Sequence, residues 1–378
     1  MQPKRLAGLM AGLLLVSAGC SAAATTAPAA TSAAGGAAPS QAAASAPAAS
    51  AAAPAGSPAA AAGSATAFTP PNLSGKKLTI VVNGDLEQSK IDLAHAYDLL
   101  RQWGLNLTVD YGGTSQVVMS AMVSGEAQVL EFSVQGALSS VDNGVNLQAF
   151  ALAQPRQDYA LIGRPGIKTL ADLKGKSIGV LDTVGLNGVQ ATLALESAGM
   201  TQKDVTIVQA GGQGTRVSAM VAGRIDSTMV GFSNYLQLKS QGYNLLYSYT
   251  KSQPNLWDDV LWATPQWLSQ NPDLAVAINE AVLESFRWFD NPANKQAYVD
   301  ASTSAVKGLD ASVAAQMYDV YTQNDMYPPN SILTDSGMQF NQTAYFNAKS
   351  LPKELPISQI CNTTYAQQAL QAVGQAQQ

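Results

Sequence analysis

The sequence predicts an α/β fold made of two similar lobes, because one segment of the chain occurs twice. Gly112–Gln135 and Gly211–Tyr235 share the pattern Ser-Ala-Met-Val-x-Gly, at Ser120–Gly125 and Ser218–Gly223. In each copy, a glycine pair precedes apolar residues at helical spacing, and a later glycine ends the predicted helix. A short apolar run then predicts a buried strand. Each copy therefore predicts the order loop, helix, strand, loop and helix.

Two further observations support a genuine repeat. The pairs Asn146-Leu147 and Asn244-Leu245 continue the same spacing beyond it. The polar loops of both copies also lie where open parallel sheets usually bind ligands. The alternative is that two unrelated helix–strand units share six common residues by chance. We therefore expect both lobes to contribute loops to one ligand site.

The rest of the globular chain supplies strands and helices around the two copies. Apolar runs predict strands at Leu78–Asn83, Leu105–Tyr111, Leu147–Ala153, Tyr159–Gly163, Ser177–Leu181 and Asp204–Gln209. After Tyr249, longer amphipathic helices are predicted to begin at Pro272, Asp310 and Thr334. Their apolar faces need a surface to cover, and the sheet of the first lobe is the nearest one.

The amino terminus, residues 1–20, predicts an export signal. Two basic residues precede the apolar run Leu6–Val16, which is too short for a bilayer that needs about 20 apolar residues. The small residues before Cys20 resemble a bacterial lipoprotein signal, in which the cysteine is acylated, although Ser17 stands where Leu is usual. A plain secretory signal cleaved among Ala22–Ala24 is the alternative. We expect an exported protein with a lipid anchor at Cys20.

Residues 21–75 predict a disordered tether. Ser21–Ala67 consists almost entirely of Ala, Pro, Ser, Thr and Gly, with no charged and no large apolar residue. Such a segment cannot bury enough apolar surface to offset the entropy lost on ordering. As a flexible coil it would span on the order of 40 Å. We expect it to hold a globular domain clear of a membrane surface.

Composition argues against several classes of function. The chain has a formal net charge of −5 and no basic run, so nucleic acid is not an expected partner. One histidine and two cysteines make a structural zinc site improbable, and we expect no metal, cofactor or intrachain disulfide. No nucleophile elbow or P-loop is present, and the pair Asp258-Asp259 has no partner that would mark acid–base catalysis. The sequence favours capture of a ligand over chemistry.

The chain resembles the bacterial extracytoplasmic solute-binding proteins of the nitrate, sulfonate, taurine and thiamine-precursor group. The residues that carry the resemblance are Leu170–Lys176 with the strand Ile178–Val180, the turn Met220–Asp226, and Ser124–Glu126. It extends over about Lys76–Tyr365. It implies a type II periplasmic-binding-protein fold, with two Rossmann-like lobes, a ligand cleft between them and a helical tail packed on the first lobe.

The resemblance also implies domain boundaries and partners. The first lobe would comprise residues 76–165 and 249–378, and the second lobe residues 166–248. The two crossings between lobes would fall near Gly163–Lys168 and Tyr247–Thr250. The protein would act as a monomer that delivers a small-molecule solute to an ABC permease with a cytoplasmic ATPase.

In such a fold, the cleft is lined by loops at helix N-termini. The candidate ligand contacts are Asp85, Glu87, Thr114, Ser115, Gln116, Glu131, Ser133, Gln135, Asp182, Thr183, Asn187, Gln213, Thr215, Arg216, Phe232, Ser233 and Tyr235. Acidic side chains outnumber Arg216 among them, which favours a neutral or nitrogen-bearing ligand, such as a heteroaromatic ring stacked on Tyr235 or Trp257. Glu131 is the expected partner for an amine or ring N–H. Whether Trp257, Trp262 and Trp267 line the cleft stays open.

Two other functions fit the same fold. The eukaryotic thiamine-pyrimidine synthases resemble it, but they need a lysine-bound pyridoxal cofactor and a cysteine-rich segment. This chain has no cysteine cluster and carries an export signal, so we do not expect an enzyme. A ligand-sensing or adhesion module that uses the same cleft is the other alternative.

Overall fold

The computed structural model describes residues 68–84, 86–181, 183 and 186–376. The signal segment, most of the tether and the lipidation site Cys20 lie outside these residues, as do the candidate contacts Asp85 and Asp182. Within the described part of the chain, no helix combines the length and the apolar character needed to cross a bilayer.

Two five-stranded sheets form the centres of two lobes. The strands are β1 (Lys77–Asn83), β2 (Asn106–Gly113), β3 (Val129–Ser133), β4 (Gln148–Leu152), β5 (Tyr159–Gly163), β6 (Ser177–Val180), β7 (Thr206–Gln209), β8 (Ser227–Gly231), β9 (Asn244–Ser248) and β10 (Asp259–Ala263). The first sheet has the order β2-β1-β3-β10-β4 and the second the order β7-β6-β8-β5-β9. In each sheet, the fourth strand runs antiparallel to both neighbours. The two sheets therefore share one topology, and the predicted two-lobed α/β fold is confirmed.

The repeated segment forms equivalent elements in the two lobes. In the first lobe, α2 (Ser115–Ser124), β3 and α3 (Val134–Asp142) follow one another. In the second lobe, α5 (Gln213–Val221), β8 and α6 (Phe232–Lys239) do the same. Gly125 and Gly223 end the first helix of each copy with φ angles of 81° and 71°, a left-handed conformation that favours glycine. The shared sequence pattern therefore encodes a shared helix–strand–helix unit.

The remaining helices complete both lobes and form the tail. They are α1 (Ile91–Gln102), α4 (Leu186–Ser197), α7 (Tyr249–Ser252), α8 (Pro265–Gln270), α9 (Pro272–Asp290), α10 (Lys295–Ala305), α11 (Ala311–Gln323), α12 (Asp335–Asn347), α13 (Ile357–Ile360) and α14 (Thr364–Val373). Helix α9 buries Leu274, Ile278 and Phe286 at helical spacing and packs against α1, α14 and β4. The Asn279 side chain donates a hydrogen bond of 3.1 Å to the Phe150 carbonyl in β4. The tail thus covers the first lobe, and α11 additionally contacts α6 of the second.

Two segments connect the lobes and run side by side. Strand β5 pairs with β8 and β9, so it belongs to the second sheet, and the first crossing lies between Leu152 and Tyr159. The crossing therefore comes earlier in the chain than Gly163–Lys168, and the position expected from the sequence is wrong. Strand periodicity identifies a strand but does not reveal which sheet it joins. The return crossing follows β9 and ends at β10. Backbone bonds of 3.1 Å from Asp258 N to Gln154 O and 2.9 Å from Gln154 N to Asp259 O join the crossings.

Candidate functional site

A cavity of about 350 Å³ lies between the two lobes, a volume typical of small-molecule sites. The first lobe contributes Gly84, Glu87, Ser115, Ser133 and Gln135, and the second contributes Asn187, Gln213 and Arg216. The two crossings contribute Gln154, Asp158, Tyr159, Asp258 and Asp259. A ligand in this cleft would therefore touch both lobes and both connections between them.

Helix N-termini bring most of the polar lining into the cleft. Ser133 caps α3, with its hydroxyl accepting a bond of 3.3 Å from Gly136 N, and Ser115 and Gln213 begin α2 and α5. A Cβ atom at Gly136 would lie 2.4 Å from the Phe132 ring, so a larger residue here would force that ring to move. Strands that end at one edge of each sheet thus place their following helices around a shared opening.

The structure brings some of the predicted contacts together and separates others. Glu87, Ser115, Ser133, Gln135, Asn187, Gln213 and Arg216 line the cleft, whereas Gln116, Glu131, Thr215, Phe232 and Tyr235 are not part of its lining. Gln116 and Thr215 are exposed. Phe232 and Tyr235 pack edge to face, with 5.3 Å between ring centroids, and both belong to the hydrophobic core. Asp85 and Asp182 lie outside the described residues.

None of the three tryptophans near the second crossing lines this cleft. Trp262 is fully buried, and its ring N–H donates to the Phe132 carbonyl at 3.1 Å. Trp257 is buried too, with its backbone N–H bonded to the Asn341 side chain of α12. Trp267 packs against Phe150. Stacking of a ligand on Trp257 or Tyr235 therefore has no support in this arrangement.

Glu131 is held in a buried ion-pair cluster at the base of the cleft. Lys90 Nζ lies 2.7 Å from Glu131 Oε1 and 2.8 Å from Asp259 Oδ2, and the Tyr97 hydroxyl donates to Glu131 Oε2 at 3.1 Å. Burial lowers the pKa of Lys90, but Asp259 and Glu131 together hold it well above its usual value. Lys90 therefore stays charged, and its two carboxylate partners are already occupied.

Arg216 is likewise bonded to protein groups. Its Nε donates to Thr228 Oγ1 at 3.0 Å, and its two terminal nitrogens donate to the carbonyls of Gly211 at 2.8 Å and Met229 at 3.2 Å. The side chain is 3% exposed. These bonds fasten the start of α5 to β8, so the guanidinium supports the shape of the cleft wall.

The crossings place three acidic side chains in the cleft that the sequence did not single out as contacts, namely Asp158, Asp258 and Asp259. Asp158 is 5% exposed, and burial raises the pKa of its carboxyl to about 8, with Glu87 adding to the rise. The Tyr321 hydroxyl and the Phe232 backbone N–H oppose that rise. Burial and then Asp259 raise the pKa of Asp258 well above its usual value. The polar stretch directly after β4 is the sequence signal that could have pointed to Asp158.

A chain of side-chain amides connects the cleft to both crossings. Asn187 accepts from Leu181 N at 3.1 Å and donates to Gln190 at 2.8 Å. Gln190 donates in turn to Gln157 at 3.0 Å, and Gln157 donates to the Trp257 carbonyl at 3.4 Å. We call these residues the amide relay.

Within the described residues, no group of three or more metal-binding side chains is present.

Two lobes of equal topology, two crossings and a polar cleft between the lobes define the type II periplasmic-binding-protein fold. The family described as NMT1/THI5 like matches residues 91–294, more than half of the chain, and the chain belongs to that family.

Solved structures share the fold at low sequence identity. The periplasmic aliphatic sulphonate binding protein SsuA from Escherichia coli superposes with a TM-score of 0.63 and 17% identity, covering 77% of this chain and 94% of that one. The periplasmic nitrate-binding protein NrtA from Synechocystis PCC 6803 gives a TM-score of 0.65 and 14% identity, with 81% and 90% covered.

A curated relative is similar over a shorter segment. YtlA of Bacillus subtilis (strain 168), whose name describes it as a binding protein, is 26% identical over 105 residues. The match spans 28% of this chain and 31% of YtlA, about a third of that relative.

Proposed function

We propose that this protein is the substrate-binding component of an ABC importer, which captures a small organic solute in the interlobe cleft and delivers it to a permease. The observation that carries the proposal is that polar groups from both lobes and both crossings converge on one cavity. A ligand that contacts both lobes binds the closed arrangement more tightly than an open one, and so shifts the population towards closure. Closure is a signal that a permease can recognise.

The proposal includes export and a membrane tether. Cys20 would carry the lipid anchor, and residues 21–75 would let a monomeric domain reach the permease at the outer face of the cell membrane or in the periplasm. The relatives named for sulphonate and nitrate binding are periplasmic, which supports export. The cytoplasmic ATPase of the importer would supply the energy for release and transport.

We also propose that the protein has no catalytic activity of its own. Among the described residues, Lys90 is the only lysine in the cleft lining, and its Nζ is bonded to Glu131, Asp259 and the Asn83 carbonyl. A pyridoxal cofactor needs a lysine nitrogen that can become uncharged, and this ion pairing opposes that change. After incubation with pyridoxal phosphate and borohydride reduction, peptide mass spectrometry should find Lys90 unmodified. Stoichiometric modification of Lys90 would favour the synthase-like alternative.

The capture proposal is tested by thermal unfolding of the mature chain in the presence of small solutes of varied charge. A ligand present at about 100 times its Kd adds about 2.7 kcal/mol to the free energy of unfolding. At least one class of solute should therefore raise the melting temperature in a concentration-dependent way. A panel in which no solute binds would contradict the proposed function.

A matched pair of variants tests whether the cleft is the site. Gln135 lines the cleft, whereas Gln116 lies near the start of another helix in the same lobe and is exposed outside the lining. Gln135→Ala should weaken binding about threefold to tenfold, because one neutral hydrogen bond contributes about 0.5–1.5 kcal/mol. Gln116→Ala should bind like the unaltered protein. Equal affinities for all three proteins, with a solute that binds, would place its site elsewhere.

A further inference from the structure

We propose that the cleft selects an organic cation, whose charged nitrogen lies against the carboxyl groups of Asp158 and Asp258 on the two crossings. The inference rests on the proposed function, since it names the chemical class of the captured solute. It follows from the charges that line the cleft, from the bonding of its two basic side chains, and from one buried oxygen that has no partner.

Acidic groups dominate the described lining. Glu87, Asp158, Asp258 and Asp259 face Lys90 and Arg216. Lys90 is bonded to two carboxylates, one of them Asp259, and Arg216 donates to a hydroxyl and two carbonyls. A ligand anion would have to compete with these partners, and it would approach three further acidic side chains. A ligand cation would be attracted to the same acidic side chains and would not have to displace a partner of Lys90 or Arg216.

The unpartnered oxygen belongs to Asp158. Asp158 is 5% exposed and lines the cavity. The Tyr321 hydroxyl and the Phe232 backbone N–H act on its carboxyl group, but Oδ1 itself has no hydrogen-bond partner among the described residues. A buried acceptor that stays unsatisfied costs about 1–3 kcal/mol. Gln154, 2% exposed on the same crossing, likewise has an amide nitrogen without a partner. Both atoms are shielded from water in the empty cleft, so a ligand with a donor for Asp158 and an adjacent acceptor for Gln154 would satisfy both groups once these side chains turn towards it.

The surroundings of Asp158 favour a charged donor over a neutral one. The titratable groups that face it are Glu87, Asp258, Tyr159, Tyr298, Tyr321 and Tyr327. All of them are acids, and none supplies positive charge. A neutral N–H would satisfy one oxygen, whereas a cation would also stabilise the carboxylates that Asp158 and Asp258 form when they lose a proton. Hydrogen bonds to charged groups contribute about 1.5–3 kcal/mol, roughly twice the neutral value.

The same geometry predicts that binding releases a proton. With a pKa of about 8, Asp158 holds a proton at neutral pH in the empty cleft. A cation beside it stabilises the carboxylate, so the proton leaves as the cation binds. Affinity for a cation should therefore rise with pH up to about pH 8, whereas affinity for a neutral solute should lack that rise.

The experiment compares three panels by thermal unfolding and then by isothermal titration. The cations are putrescine, agmatine, choline and benzamidine; the neutral solutes are benzamide and benzyl alcohol; and the anions are benzoate, benzenesulfonate and nitrate. We expect binding in the cationic panel alone. Binding only by neutral or anionic solutes would overturn this inference and leave the proposed function intact. No binding in any panel would contradict the proposed function as well.

Variants then test the residues with whichever cation binds. Asp158→Asn and Asp258→Asn should each weaken binding about tenfold or more, whereas the exposed control Asp110→Asn should not change it. Titrations in two buffers of different ionisation enthalpy should show proton release by the unaltered protein and less by Asp158→Asn. Unchanged affinity in both cleft variants, with melting curves showing that they are folded, would overturn the inference.

Discussion

Asp158→Asn should make the empty protein more stable at neutral pH. The Asp158 side chain is 5% exposed, and its pKa is raised from the ordinary value of 3.8 to about 8, first by burial and then by Glu87. Between these two pH values the unfolded chain releases a proton that the folded chain retains. The stability of the folded protein therefore falls as pH rises through this window. Asparagine has nearly the same shape as aspartate but has no proton to lose, so the variant avoids this loss of stability.

The size of the effect follows from the width of the window. At pH 7 the solution is about 3 pH units above the ordinary pKa of an aspartate, and each unit corresponds to about 1.36 kcal/mol. The variant should therefore gain on the order of 4 kcal/mol at pH 7. At pH 4, which is close to the ordinary pKa of an aspartate, the gain should nearly vanish.

Urea unfolding at pH 7 and pH 4 measures both values. Urea is preferred to guanidinium chloride, because guanidinium is itself an organic cation of the kind we expect the cleft to bind. Asp110→Asn, an exposed control, should shift neither midpoint by more than a surface substitution does, about 0.5 kcal/mol. If Asp158→Asn is no more stable than the unaltered protein at pH 7, the carboxyl group is not held against its ionisation and the reasoning fails.

Three further changes have distinct expected outcomes. Glu131→Gln should destabilise the fold by roughly 3–5 kcal/mol in urea titrations, because it breaks the buried pair with Lys90; a stable variant that loses only ligand affinity would contradict the ion-pair role. Cys20→Ser should move the protein from the membrane fraction to the soluble fraction of cells while its melting curve stays the same, and continued membrane attachment would refute lipidation. Deletion of residues 21–67 should leave both melting temperature and ligand affinity unchanged, and a clear loss of either would show that this segment packs on the domain.

Local sequence patterns predicted much of the fold, but only part of the cleft. The repeat predicted two lobes of equal topology, because helix and strand periodicity and helix-ending glycines act over a few residues. The partners of Glu131 could not be predicted in this way. Lys90 precedes it by 41 positions and Asp259 comes from beyond the second lobe, so only the folded chain brings the three together.

The acidic side chains of the crossings were missed for a related reason. Periodicity identified Tyr159–Gly163 as a strand but could not assign it to the second sheet. That assignment moves the crossing to the residues before Tyr159, and it places Asp158 in the cleft. The sequence shows Asp258-Asp259 as an acidic pair, yet its position in the cleft depends on backbone bonds to Gln154 in the other crossing.

The hydrogen bonds of the amide relay connect the second lobe to the crossings through uncharged groups. The carboxyl group of Asp158, with a pKa of about 8, changes charge around neutral pH, so the strength with which it holds a cation varies with the pH of the medium. Asn187, Gln190 and Gln157 do not titrate, and hydrogen bonds between uncharged amides respond little to salt. A shift in the pH of the medium would therefore change the affinity for a cation while leaving the hydrogen bonds between the second lobe and the crossings intact.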